Sequence, residues 1–171
     1  VPIFDMNYYI LSAKAEKYWP LKSGMALKLK GTVGIADSYG DKKFPFFKNF
    51  FMGGTNTIRG YDQASVGKKT LNASTGALET TGGKKSLLGS AELFFPPPGL
   101  KNVKSFRLST FIDGGGAFKD SIDLDEARFS AGVGAVWLSP FGPLSITYAK
   151  ALNDGINDKL STLQFGMGGS F

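Results

Sequence analysis

Seven stretches of this chain alternate apolar and polar residues with a period of two, a pattern that specifies half-buried β-strands. Leu27, Leu29, Val33 and Ile35 alternate with Lys28, Lys30, Thr32 and Gly34; Leu87, Ala91, Leu93 and Phe95 oppose Ser86, Ser90 and Glu92. Phe106, Leu108, Thr110 and Ile112 face away from Arg107, Ser109, Phe111 and Asp113, and the run from Ala127 to Trp137 sets Phe129, Val133 and Ala135 against Ser130, Gly132 and Gly134. Leu144, Ile146 and Tyr148 make a sixth strand, and Leu163, Phe165, Met167, Gly169 and Phe171 a seventh. The first begins with Phe4, Met6, Tyr8 and Ile10 against Asp5 and Asn7 and runs to Trp19-Pro20. Lys22-Ser23-Gly24, Pro96-Pro97-Pro98-Gly99 and Ser139-Pro140-Phe141-Gly142-Pro143 break the runs as turns. An eighth strand has room within 44–55. The expectation is an all-β, antiparallel chain of seven to eight strands, several meeting the ~9 to 11 residues a tilted membrane strand needs.

Composition narrows the chemistry. The 171 residues contain no Cys and no His, so disulfides, Cys/His zinc sites and histidine acid–base catalysis are excluded. An enzyme is not expected, nor any cofactor or metal. With 42% hydrophobic and 20% charged residues the chain is a folded domain, and 23 Gly with 13% aromatics favour strands and tight turns over helices. No run of 18 apolar residues is present, and residues 1–20 lack the pattern of a secretory signal. The opening at Val1-Pro2-Ile3-Phe4, already in an alternating segment, suggests a piece whose signal lies upstream. Net charge is +6, but the basic residues are scattered, with Lys42-Lys43, Lys68-Lys69 and Lys84-Lys85 as adjacent pairs, so nucleic acid is not an expected partner.

Periodicity leaves open which face looks inward, since a soluble barrel and a membrane barrel share it. Three features favour an apolar face turned out to lipid: aromatics toward strand ends (Tyr18, Trp19, Phe95, Trp137, Tyr148, Phe171), a polar face rich in Gly and small hydroxyls, and short turns alternating with one long connection.

That connection, about 40–82, does not read as regular structure, and a loop so long in a compact domain normally functions or is disordered. Phe44-Pro45-Phe46-Phe47 through Gly54 is too aromatic to hang in water and should dock. Leu71 to Gly83, rich in Thr, Ser, Gly and Ala, reads as an exposed, mobile turn. Between them Gly53, Gly54 and Gly60 permit positive φ and close backbone approach around Arg59, which fits an arginine buried among partners as opposed to a solvated one. If the loop enters a polar lumen, Glu92 and Asp113 lie on the right face to hold it, forming a charge-assisted clamp. The alternative for both is an ordinary lumen-facing acid.

At this loop the sequence resembles the BamA-type outer-membrane insertase family, whose hallmark is a Val/Ile-Arg-Gly-Phe/Tyr tetrad in a long loop folded into the barrel. Here the tetrad is Ile58-Arg59-Gly60-Tyr61, preceded by Phe50-Phe51-Met52-Gly53-Gly54. The resemblance extends through Ser90-Ala91-Glu92-Leu93-Phe94-Phe95-Pro96, Phe111-Ile112-Asp113-Gly114-Gly115, Trp137 to Leu144 and Ser145-Ile146-Thr147-Tyr148-Ala149 to Phe171, nearly the whole chain. It implies that Arg59 contacts Glu92 and Asp113, and that 1–171 is the C-terminal half of a sixteen-strand outer-membrane barrel without its POTRA domains. The implied activity is folding and insertion of β-barrel proteins through a lateral seam. Implied partners are outer-membrane lipid, unfolded outer-membrane proteins and accessory assembly lipoproteins. The ending Gln164-Phe165-Gly166-Met167-Gly168-Gly169-Ser170-Phe171 fits the terminal pattern of outer-membrane proteins except that Gly169 replaces an apolar residue, which suits a weakly held seam strand. Two rivals remain: a two-partner secretion or porin-like pore with the loop as plug, and a soluble ligand-binding barrel.

Overall fold

The computed structural model describes residues 7–40, 44–99, 105–155 and 157–167. Seven strands form one antiparallel sheet: β1 (Tyr8–Pro20), β2 (Ala26–Ser38), β6 (Lys85–Phe95), β7 (Phe106–Phe118), β8 (Arg128–Ser139), β9 (Gly142–Ala151) and β11 (Leu163–Met167), hydrogen-bonded in that order. Four short strands lie in the connections: β3 (Gly60–Tyr61), β4 (Lys69–Leu71), β5 (Leu78–Thr80) and β10 (Leu160–Ser161), pairing as β3 with β10 and β4 with β5. No α-helix occurs among the described residues, and no helix is long and apolar enough to cross a membrane. The sheet is open: β1 and β11 are its two edges and do not pair with each other.

The faces of the sheet are sorted inversely to a soluble core. Leu29, Val33, Ile112, Val133, Ile146, Leu163 and Phe165 are exposed on one face. The opposite face buries Ser86, Ser109, Asp113, Ser130, Thr147 and Gln164 beneath the loop. The apolar cluster among the described residues is therefore between loop and sheet, where Met52, Ile58, Tyr61 and Val66 pack on Leu88 and Ala117. Burying side chains of this size stabilises by about 1.5–3 kcal/mol each relative to exposure, enough to hold a loop that the sheet alone would not.

Several details differ from the sequence reading. No eighth strand lies within 44–55: Phe46–Lys48 forms a 3-10 turn, followed by the isolated bridges Phe50–Gly83 and Met52–Val66. Pro45 has no N–H to give a ladder, and Gly53 and Gly54 at φ +106° and +101° turn the chain away. The aromatic stretch docks only in part, since Met52 is buried while Phe46 and Phe47 stack edge-to-face with 76% and 55% exposure. Residues 69–80 are a short hairpin instead of an irregular turn. Tyr148 sits mid-strand opposite Val133, away from the strand ends.

The phase of β1 also changes. Its pairing with β2 sets Leu11 opposite Ile35, Ala13 opposite Val33 and Trp19 opposite Leu27, so odd positions share the exposed apolar face. Tyr8 and Ile10 thus belong to the polar side with Lys14 and Glu16. Tyr8-Tyr9-Ile10-Leu11 is apolar on both faces, and only the register resolves it.

Candidate functional site

Residues 53–61 form a knot that delivers one guanidinium to the polar face. The Gly54 N–H is shared between the carbonyls of Ile58 (3.2 Å) and Tyr61 (3.1 Å), and the Gly53 N–H donates to Thr57 Oγ1 at 2.9 Å. A Cβ at Gly53 would run into the carbonyl of Asp62, and Gly60, at φ +90°, passes so close to β9 that its Cβ would lie 3.2 Å from that of Ala149. Glycine is needed at both for left-handed backbone and for approach.

Arg59 is buried and fully engaged. Nε donates to Asp113 Oδ2 at 2.7 Å and Nη2 to Asp113 Oδ1 at 2.8 Å, a bidentate fork, while Nη1 donates to Glu92 Oε1 at 3.0 Å. The Arg59 backbone N–H also donates to Asp113 Oδ2, at 3.2 Å. The carboxylates are steadied in turn: the Ser90 hydroxyl donates to Asp113 Oδ1 at 2.6 Å and Ser109 to Glu92 Oε1 at 2.7 Å. Beneath the guanidinium lies the Phe111 ring, 3.4 Å from Cζ to centroid. Gly132 makes room for that ring, since a Cβ there would meet Phe111 Cζ at 2.7 Å. Burial pushes the guanidinium pKa down, but the two carboxylates outweigh it and hold it above its ordinary value. The Arg59 guanidinium therefore stays protonated, fixed in place between two carboxylates.

The other half of the tetrad is held by the last strand. Gln164 accepts from the Gly60 N–H with Oε1 (3.3 Å) and donates from Nε2 to the Tyr61 carbonyl (2.7 Å). Tyr61 is wholly buried; its hydroxyl donates to the Phe129 carbonyl at 3.2 Å, and burial pushes its pKa up to about 12, so it stays a neutral donor. Below the clamp a polar cavity of about 180 Å³ is lined by Lys28, Lys30, Glu92, Ser109, Ser145 and Thr147, with the Lys30 ammonium donating to the Asn56 carbonyl at 2.9 Å.

A second polar cluster joins the loop to the connection 152–162. The Asp158 carboxylate receives Lys69 Nζ at 2.7 Å, the Gly155 N–H at 2.8 Å and Arg128 Nε. Burial raises the Asp158 pKa, but these three donors together lower it below the usual carboxylate range.

A long loop is thus bound to the polar face of an open antiparallel sheet whose apolar face is bare. Residues 2–171 match the Omp85 superfamily domain. The chain belongs to the Omp85 superfamily. This Omp85 chain is 34% identical, along its whole length, to the outer membrane protein assembly factor BamA of Neisseria meningitidis serogroup B. It is 31% identical over 82% of its length to the BamA of Neorickettsia risticii and 26% identical over 86% to a SAM50-like protein of Schizosaccharomyces pombe. It spans 25%, 19% and 32% of those three proteins. The crystal structure of BamA from Haemophilus ducreyi lacking POTRA domains 1-3 superposes on 96% of the Omp85 chain with a TM-score of 0.85 and 28% identity, the match covering 35% of that chain. The fold is thus that of an outer-membrane β-barrel, present here as an unclosed sheet.

Within the Omp85 chain, Ile58, Arg59, Gly60, Tyr61, Gly53, Gly54, Glu92 and Asp113 all meet at the loop–sheet contact. Gln164, grouped with the seam strand by sequence, lies in β11 at the edge of the sheet with its side chain buried against the tetrad, and Gly166 faces the cavity. Gly168, Gly169 and Phe171 lie outside the described residues. Sequence reasoning did not assign Ser90, Ser109 or Phe111 to the clamp. The signal was available in Phe111, an aromatic on the polar parity of β7.

Proposed function

We propose that this chain is the C-terminal part of the barrel of a bacterial outer-membrane protein assembly factor, integral to that membrane, which speeds the folding and insertion of other β-barrel proteins. The observation that carries the reading is the Arg59 clamp, which fixes a long loop inside the polar face while the opposite face is apolar and bare. The curated BamA relatives support it, one over the chain's whole length and one over 82% of it. The mechanism is non-enzymatic and needs no cofactor. The last strand, β11, pairs weakly with the first strand of the closed barrel, and an unfolded client adds its own strand at the opened seam by backbone hydrogen bonding. The free energy comes from the client's folding, so the assembly factor lowers a barrier without shifting the equilibrium. The tetrad Ile58-Arg59-Gly60-Tyr61 braces the lumen side, and accessory lipoproteins assist the complete protein.

The test uses the full-length protein in liposomes and follows a urea-unfolded outer-membrane barrel by its heat-sensitive gel shift. Acceleration over empty liposomes, lost with Arg59→Ala at equal protein level, is the expected result. No acceleration, with accessory lipoproteins supplied, would overturn the reading in favour of a secretion pore with the loop as plug.

A further inference from the structure

The loop is stitched to the segment that leads into the last strand at three successive points. Asp158, with its side chain 4% exposed, joins β4 through Lys69 and β8 through Arg128. Next, the Lys159 carbonyl accepts from the Asp62 N–H (2.8 Å) and the Ser65 hydroxyl (3.2 Å), and Leu160–Ser161 pairs with Gly60–Tyr61. Then Gln164 grips Gly60 and Tyr61. Of these contacts only the first is ionic, and only the first ties together three separate elements. Removing one partner of a buried ion pair leaves the others desolvated and uncompensated, so the loss of Asp158 would loosen Lys69 and Arg128 together. Among the described residues β11 itself has a single strand partner, β9, over five register pairs, and its far edge is unpaired in this sheet. Its stability therefore depends on whatever else holds the segment before it.

We propose that Asp158 is a latch, a positioning residue that makes the loop 60–69 and the terminal strand one mechanical unit, so that neither is released without the other. Lys69 and Arg128 are its two catches, and Gly155 orients the carboxylate. This goes beyond the assembly reading and does not depend on it, because the coupling is a property of the chain whatever the barrel does.

Amide hydrogen exchange on the full-length protein in lipid tests it. Asp158→Asn should speed exchange at least tenfold in both 60–65 and 160–167 while leaving β6 and β7 unchanged, and Asp158→Glu, which keeps the charge, should restore protection of both segments. Faster exchange confined to 152–159, or a Glu variant that behaves like Asn, would overturn the latch and leave Asp158 as a local loop staple. If Asp158→Asn abolishes the barrel's heat-sensitive gel shift, Lys69→Met reads the same outcomes, since it removes one catch and leaves the Arg128 pair in place.

Discussion

Strand β7 carries both environments of the molecule on alternate residues. Ser109, Phe111 and Asp113 point into the loop contact and are almost wholly buried, while Ile112, between two of them, is 58% exposed. Chemically matched positions of a soluble sheet would be reversed. The difference shows where specificity is stored: on the loop side each residue has a named partner and a fixed geometry, whereas on the bare side a residue needs only to be apolar and of roughly the right bulk, because lipid is a fluid partner that reshapes around it.

Substitutions can break that contrast, and the largest effect falls on the loop side. Asp113→Ala in the full-length barrel removes the bidentate partner of the Arg59 guanidinium and the acceptor of its amide, leaving Glu92 as its one carboxylate, and chemical denaturation in lipid should register a loss of about 3–5 kcal/mol. Next comes a charge on the wrong face: Val133→Arg, mid-sheet on the apolar side, should cost about 2–4 kcal/mol by the same measurement. Gln164→Leu takes the acceptor from the Gly60 N–H and leaves the Tyr61 carbonyl only the shared Gly54 N–H, and a smaller loss of about 1–3 kcal/mol is expected.

A gentler probe is pH. The Asp158 carboxyl has a lowered pKa in the fold, so its contribution is complete above the unfolded value of about 3.9 and is lost as pH falls through the lower folded value. An acid titration of barrel stability should therefore lose a step below about pH 4 in Asp158→Asn relative to the parent. The smallest effect sharpens the comparison most. Ile112→Ala on the exposed face should cost under about 1 kcal/mol in lipid, far less than the ~2–5 kcal/mol of the same truncation in a packed core, since lipid fills the space. A core-sized loss there would mean that the face is covered by protein.

Much of this was legible in the residues. The positions of β2, β6, β7, β8, β9 and β11 follow directly from the period of two, the short strands of the connections do not, and Glu92 and Asp113 stand on the polar parity that carries them to Arg59. Parity failed where both faces are apolar: Tyr8 to Leu11 carries no internal phase, and the neighbour's register decides it. The eighth strand for which 44–55 had room does not form, because Pro45 and the paired glycines forbid one. Gln164 was beyond reach for another reason. Its parity was plain, but its partners are backbone groups more than 100 residues away, and backbone groups carry no signature in sequence.

That glutamine has one more consequence. A primary amide that accepts from one residue's N–H and donates to the next residue's carbonyl imitates a missing stretch of backbone, and it can do so at only one offset. Sliding the terminal strand by a single position would turn Gln164 toward the hydrocarbon and bring Leu163 or Phe165 against two polar groups they cannot satisfy. The tetrad thereby proofreads the alignment of the final strand, admitting the one pairing frame in which an amide arrives.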